Sequence, residues 1–141
     1  MAAGTKFHCF VEDLAEKKHN LASDVLRWAL TNTAPSQANT VLADITQIAA
    51  GGGYSTGGSV AAQSSSAQTS GVYKLVLGDT VFTATGTIGP FRYAVLYNST
   101  AAGGPLIGFY DYGSSITVQS TDADPTFTVD CDASAGILTL Q

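Results

Sequence analysis

The sequence predicts a mainly β fold: a single β-sandwich-type domain with a short N-terminal amphipathic helix. Three observations carry that expectation. From residue 72 onward, short alternating apolar runs recur with turn residues between them at intervals of roughly 8–12 residues, the spacing of sandwich and barrel folds. Ahead of them, Phe7, Phe10, Val11 and Leu14 fall at the i, i+3, i+4, i+7 positions of one helix face. The length of 141 residues suits one domain, which can bury roughly 70% of its unfolded surface without a metal or disulfide staple. Within that one structural domain, 1–21 reads as a helical arm and 22–141 as the β body.

The helix is expected over 5–19, with acids early, Lys17, Lys18 and His19 late to complement its dipole, and Asn20 as a left-handed stop. Its apolar face, Phe7, Phe10, Val11 and Leu14, should dock on its own body or on a neighbouring subunit. Cys9 lies roughly 160° from Phe7 at about 100° per residue, so its thiol is expected toward solvent or a neighbour, a candidate for an intermolecular cross-link. Leu26, Trp28 and Leu30 alternate with Arg27, Ala29 and Thr31 as a half-buried strand does. Residues 32–40 read as loop, and 41–48 as ambiguous, with Leu42, Ile45 and Ile48 at helical spacing. The Gly, Ser, Thr, Ala and Gln stretch 49–71 fits either a flexible linker or a thin edge strand.

Strands are then expected at Tyr73–Leu77, Val81–Thr85, Phe91–Tyr97, Leu106–Tyr112, Ile116–Val118, Phe127–Cys131 and Ile137–Leu140, each closed by Gly, Pro, Asn or Asp. Phe127, Val129 and Cys131 share a face, which makes Cys131 a buried core residue.

Charge excludes one class of partner. Only 12% of residues are charged, against a globular norm of about 25%. Lys6, Lys17, Lys18 and Arg27 balance Glu12, Asp13, Glu16 and Asp24, so the net −5 resides in the body, where Lys74 and Arg92 face seven aspartates. Such a surface repels phosphate backbones, and no nucleic-acid partner is expected. No apolar run approaches the roughly 18 residues of a membrane span, and the N-terminus lacks a secretory signal, so no membrane partner is expected either. Two cysteines are too few and too far apart for a zinc site or a disulfide framework.

Candidate chemistry is sparse. The segment Gly52–Ser59 approaches a phosphate loop but has Gly58 where the lysine belongs, and reads as a glycine loop. No G-x-S-x-G elbow occurs. His8 and His19 sit roughly 16 Å apart on the expected helix and cannot share a metal or an acid–base step. Asp122, Asp124, Asp130 and Asp132 invite a calcium reading, yet read better as turn and strand-flanking residues. The sequon at Asn98 has meaning only in a secretory pathway. No catalytic residue, metal site or cofactor is assigned. Trp28, Tyr93, Tyr97, Tyr110 and Tyr112 stand as candidate interface anchors, with core filling as the alternative.

The chain resembles a family of small virion proteins encoded among the head genes of tailed phages. The resemblance lies in FVEDLAEKKHNL (10–21), ALTNTAP (29–35), NTVLADITQIAAGGGYSTGG (39–58), SSSAQTSGVYKLVL (64–77), TATGTIGPFRYAVLYN (83–98), PLIGFYDYGSSIT (105–117) and FTVDCDASAGILTL (127–140). It runs nearly end to end, with Cys9 and Cys131 departing from the family pattern. It implies a jelly-roll-like or related β-sandwich and a non-enzymatic role as a head decoration (cement) protein on the capsid surface of the virion, made in the host bacterial cytoplasm. The implied partners are the major capsid protein and other copies of itself. A head–tail joining or tail protein, or a glycan-binding adhesin using its tyrosines, are the alternatives.

Overall fold

The computed structural model describes residues 3–141. It is mainly β, 48% strand against 7% helix, and every strand pairing is antiparallel. In chain order the elements are β1 (Ala3–Lys6), α1 (Cys9–Ala15), β2 (Leu26–Thr31), a 3-10 turn (Leu42–Asp44), β3 (Ser59–Ala61), β4 (Gln63–Thr69), β5 (Val72–Leu77), β6 (Thr80–Thr83), β7 (Thr87–Asn98), β8 (Leu106–Gln119), β9 (Thr126–Val129) and β10 (Leu138–Leu140). They form a five-stranded sheet ordered β1-β8-β7-β2-β3, a three-stranded sheet β10-β5-β4, and the pair β6-β9.

The five-stranded sheet is buried on both faces. Register places Leu30, Ala94 and Tyr110 in one row and Ala29, Val95 and Phe109 in the next, so adjacent rows point to opposite sides. Trp28, Leu30, Ala94 and Leu96 join the main core with Leu75 and Leu77 of β5, Phe82 of β6 and Val129 of β9. Ala29, Val95 and Tyr97 join a second core with Phe7, Ile45 and Leu106, against which Leu42 and Phe109 pack. The alternation in 26–31 predicts a half-buried strand; in the structure five of its six residues are buried, because β2 lies inside the sheet with a covered second face.

That second cover is the segment expected to be loop or ambiguous. Leu42 N–H donates to Gly104 O and Leu106 N–H to Thr40 O, pinning it across the end of β8. Its 3-10 turn is set by Asp44, whose carboxylate accepts from the Thr40 and Val41 amides at 2.9 and 3.3 Å. The stretch 49–71 resolves into a glycine loop followed by β3 and the exposed edge strand β4.

The N-terminus departs from the expected 5–19 helix at both ends. Residues 3–6 pair with β8 as an edge strand, with Gly108 allowing close approach of Thr5: a Cβ there would meet Thr5 O at 2.9 Å. The helix stops at Ala15, with Lys17, not Asn20, in the left-handed conformation (φ 67°). Lys18 N–H reaches Asp13 O and Lys17 N–H reaches Leu14 O, the paired bonds that close a helix on a left-handed residue. The expected docking face is corrected accordingly. Phe10 is buried and Leu14 packs beside it in the main core, but Phe7 precedes the helix and fills the second core, and Val11 is 54% exposed. The helix docks on its own chain, and β1 pairs with β8, so both are built into the body.

Glycines read as strand ends also prove to be irregularities within longer strands. The runs 106–112 and 116–118 are one strand, β8, through Gly113 (φ 84°). Phe91 pairs with Ile116 and Tyr93 with Asp111, so residues 112–115 bulge from the ladder.

Replacing Phe10 with Ala should destabilise the protein by roughly 3 kcal/mol, the usual cost of emptying a buried aromatic site. Val11→Ala on the same helix should stay within about 0.5 kcal/mol, as exposed positions do. Urea denaturation of both variants checks the contrast.

Candidate functional site

The polar groups worth weighing gather where α1 meets the end of β7. Asp13 is buried in the helix and accepts from Lys18 Nζ at 2.6 Å. His19 lies just beyond, 5% exposed and not on a helix, with its ring tilted on Phe10 at 5.3 Å between centroids. Asn98 closes β7 with no exposed surface, and its amide Nδ2 lies 3.1 Å from His19 Nδ1 and 2.5 Å from Asp24 Oδ2. Its Oδ1 accepts from the Thr100 and Ala101 amides. Asn98 thereby ties two loops to one strand end. As the Asn98 amide can only donate, His19 Nδ1 accepts and the proton of the neutral ring sits on Nε2. Nε2 is buried without a partner.

The contacts of this cluster position loops. Burial pushes the His19 pKa down, against the pull of Asp13 and Asp24. The full burial of Asn98 also answers the sequon, since its Nδ2 is engaged inside the fold. Sequence reasoning placed His19 at the end of the helix and read Asn98 as a strand stop and a sequon, with no link between them. Nothing in the pattern links two residues 79 apart; only the register of β7 against the α1 turn does.

The cysteines differ from expectation in one case. Cys131 is buried as expected, and burial first, then Asp79 and Asp130, push its thiol up to about 11. Cys9 is half-buried, not solvent-directed: its Sγ lies 3.6–3.7 Å from the carbonyls of Asn39, Thr40 and Leu106. Burial and then Asp13 raise its pKa too. These are the opposite of the cationic surroundings that activate a thiol. A cross-link through Cys9 would require it to leave its own chain's carbonyls.

The candidate interface aromatics are core. Trp28, Tyr93, Tyr97 and Tyr110 are each at most 8% exposed, and Tyr112 is half-buried with its hydroxyl unpartnered inside. Trp28 stacks on Tyr110 at 5.2 Å, while Tyr112 meets Phe127 edge-on at 5.1 Å. Trp28, Tyr93, Tyr97 and Tyr110 therefore present almost no surface, while Tyr112 is partly exposed.

The remaining motifs are structural as well. In the Gly52–Ser59 loop, a Cβ at Gly52 or Gly58 would overlap the backbone of Thr87 or Trp28. The loop is tied down by Tyr97 Oη donating to Gly57 O at 2.7 Å and by Arg27 donating to Gly58 O at 2.8 Å. Asp122, Asp124 and Asp132 each accept from amides two or three residues away, closing separate turns. Among the described residues, no group of three or more His, Cys, Asp or Glu could hold a metal ion. Arg92 and Asp111 form a two-pronged ion pair at 2.7 and 2.9 Å beside the β8 bulge, with the guanidinium over Tyr93. Arg92 holds the Asp111 carboxyl below the usual range.

Comparisons with known proteins return no match: no protein-family pattern, no curated protein and no solved structure is similar to this chain.

Two measurements follow from these environments. Because His19 is held neutral when folded, the unfolded chain binds the extra proton first as pH falls. Stability should be full above about pH 6.5 and drop below it until the lowered folded pKa is passed. Urea midpoints at pH 7.5 and 5 should show that drop, and His19→Gln should reduce it; equal drops in both proteins would assign it elsewhere. Second, a maleimide at pH 7.5 should modify native Cys9 at least about 10-fold more slowly than a free thiol, and Cys131 more slowly still. Peptide mass mapping over time reads both rates.

Proposed function

We propose that this chain is a structural virion protein, a decoration (cement) protein that binds the outside of a phage capsid and bridges neighbouring capsid subunits. What supports the reading is the resemblance to small head-gene proteins of tailed phages that the sequence segments above suggest. The segments 29–35, 83–98 and 105–117 supply half of β2, all of β7 and most of β8, so the resemblance falls on the central sheet. A sandwich or jelly-roll-like layering of the three sheets belongs to the same reading.

Physical features are compatible with it. The chain carries few charges, which suits contact with protein better than electrostatic capture of a ligand. A partner that binds only the assembled shell stabilises it by mass action, and many copies with modest contacts add through multivalency. The contacts must come from other residues than the aromatics first considered, because those are core. The adhesin alternative loses its support for the same reason: the tyrosines a sugar would stack on are mostly buried.

Particles assembled without this protein should form but release DNA at lower temperature than complete particles, and adding the purified protein back should restore them. Rebinding should change little between about 50 and 200 mM salt, the range over which charge-driven binding weakens strongly. Copy number in purified virions should be comparable to that of the capsid protein. Equal robustness of both kinds of particle, or copurification with tails instead of heads, overturns the reading.

A further inference from the structure

The contact between His19 and Asn98 tolerates only one protonation state of the ring. His19 Nδ1 faces the Asn98 amide nitrogen at 3.1 Å, and Nε2 is buried with no partner. A neutral ring accepts through Nδ1. An imidazolium carries a proton on each nitrogen, so its Nδ1–H would meet the Asn98 N–H donor to donor.

Asn98 cannot yield by turning its amide in place. Nδ2 donates to Asp24 Oδ2 at 2.5 Å, and Oδ1 accepts from the Thr100 and Ala101 amides at 2.9 and 3.2 Å. A half-turn would set Oδ1 against the Asp24 carboxylate and Nδ2 against two N–H groups. Both contacts would then be like against like.

The charges around the ring decide where an imidazolium goes. Asp13 on α1 is already taken by Lys18 Nζ at 2.6 Å. Asp24 holds only uncharged donors, the Asn20 backbone amide at 2.7 Å and Asn98. β7 offers no charge here, and Tyr73 of β5 lines the groove beside His19 together with Lys17. Asp24 is therefore the carboxylate open to an imidazolium, and pairing with it takes it from Asn98.

We propose that His19 is an acid-sensitive latch: its protonation exchanges the Asn98–Asp24 contact for a His19–Asp24 ion pair and frees the β7–β8 loop, residues 99–104, while the sheets stay closed. That loop can move alone, since each of its residues is exposed or half-buried. Burial lowers the ring's pKa against the pull of Asp13 and Asp24. The latch is accordingly shut above about pH 6.5, where a freed ring is neutral, and opens as pH falls toward the lowered value. The proposal is independent of the capsid reading.

Amide hydrogen exchange of the full-length protein, expressed as protection over the intrinsic rate at each pH, reads the loop directly. Between pH 7.5 and 5 the protection of the Thr100 and Ala101 amides should fall about 10-fold. Low, non-denaturing urea should leave that fall unchanged, because a local opening exposes little surface. His19→Gln, whose side-chain oxygen accepts from Asn98 at any pH, should abolish it. Should that variant not fold, the unaltered protein decides: the loss should level off at the pH where the His19 ring nitrogens titrate. Protection that holds across the range overturns the proposal. So does an equal fall in His19→Gln, a fall that deepens with urea as sheet amides do, or a loss that continues past the titration of the ring.

Discussion

Burial of the β2–β7–β8 sheet on both faces is the constraint from which the rest of the structure follows. A sheet with one wet face needs one layer of cover and can leave polar residues on the other. Here Trp28, Leu30, Ala94 and Leu96 fill one side while Ala29, Val95 and Tyr97 fill the other. Each side demands its own cover. The three-stranded sheet and the β6–β9 pair provide the first, and Phe7 with the segment around Leu42 and Ile45 provides the second.

Covering a sheet with irregular chain creates a second problem, because loop backbone inside the fold still needs hydrogen-bond partners. The structure solves it with side chains at fixed points. Tyr54 Oη accepts from the Leu30 amide at 3.1 Å and donates to Gln47 at 2.7 Å, while Ile48 N–H takes the Leu30 carbonyl. That occupies β2 beyond the point where β3 stops pairing. Asn98 does the same work at the end of β7, for the loops that carry Asp24, Thr100 and Ala101. Glycines complete the scheme where backbone meets backbone, as at Gly58 against Trp28. The glycine loop of the low-complexity stretch is therefore a close-fitting part of the fold.

The same economy bears on function. The side chains with the richest chemistry, His19, Asn98, Asp13, Cys131 and the strand aromatics, are all committed to holding the chain together. The surface is left with small polar residues, isolated valines such as Val60 and Val81, and backbone edges such as β4. Such a surface gives weak contacts one at a time. On the proposed capsid reading, such contacts repeated over a regular lattice would add, so that their sum decides occupancy.

The sequence by itself determined the mainly β class, most of the strand positions from residue 72 onward, the burial of Phe10, Leu14 and Cys131, and the acidic, sparsely charged body. These depend on local period and composition, which a chain carries without reference to its partners in the fold. Tertiary structure decided what depends on neighbours far along the chain. Alternation showed that 26–31 is a strand but not that its polar face is covered, since the cover comes from 37–48. Helical spacing joined Phe7 to Phe10, but pairing of residues 3–6 with β8 satisfies backbone that a longer helix would have left on an open strand edge. The aromatic residues read equally as anchors or core until two layers closed over them. The buried His19–Asn98 contact is a product of register between distant segments, and register is fixed only when both faces of the sheet are packed.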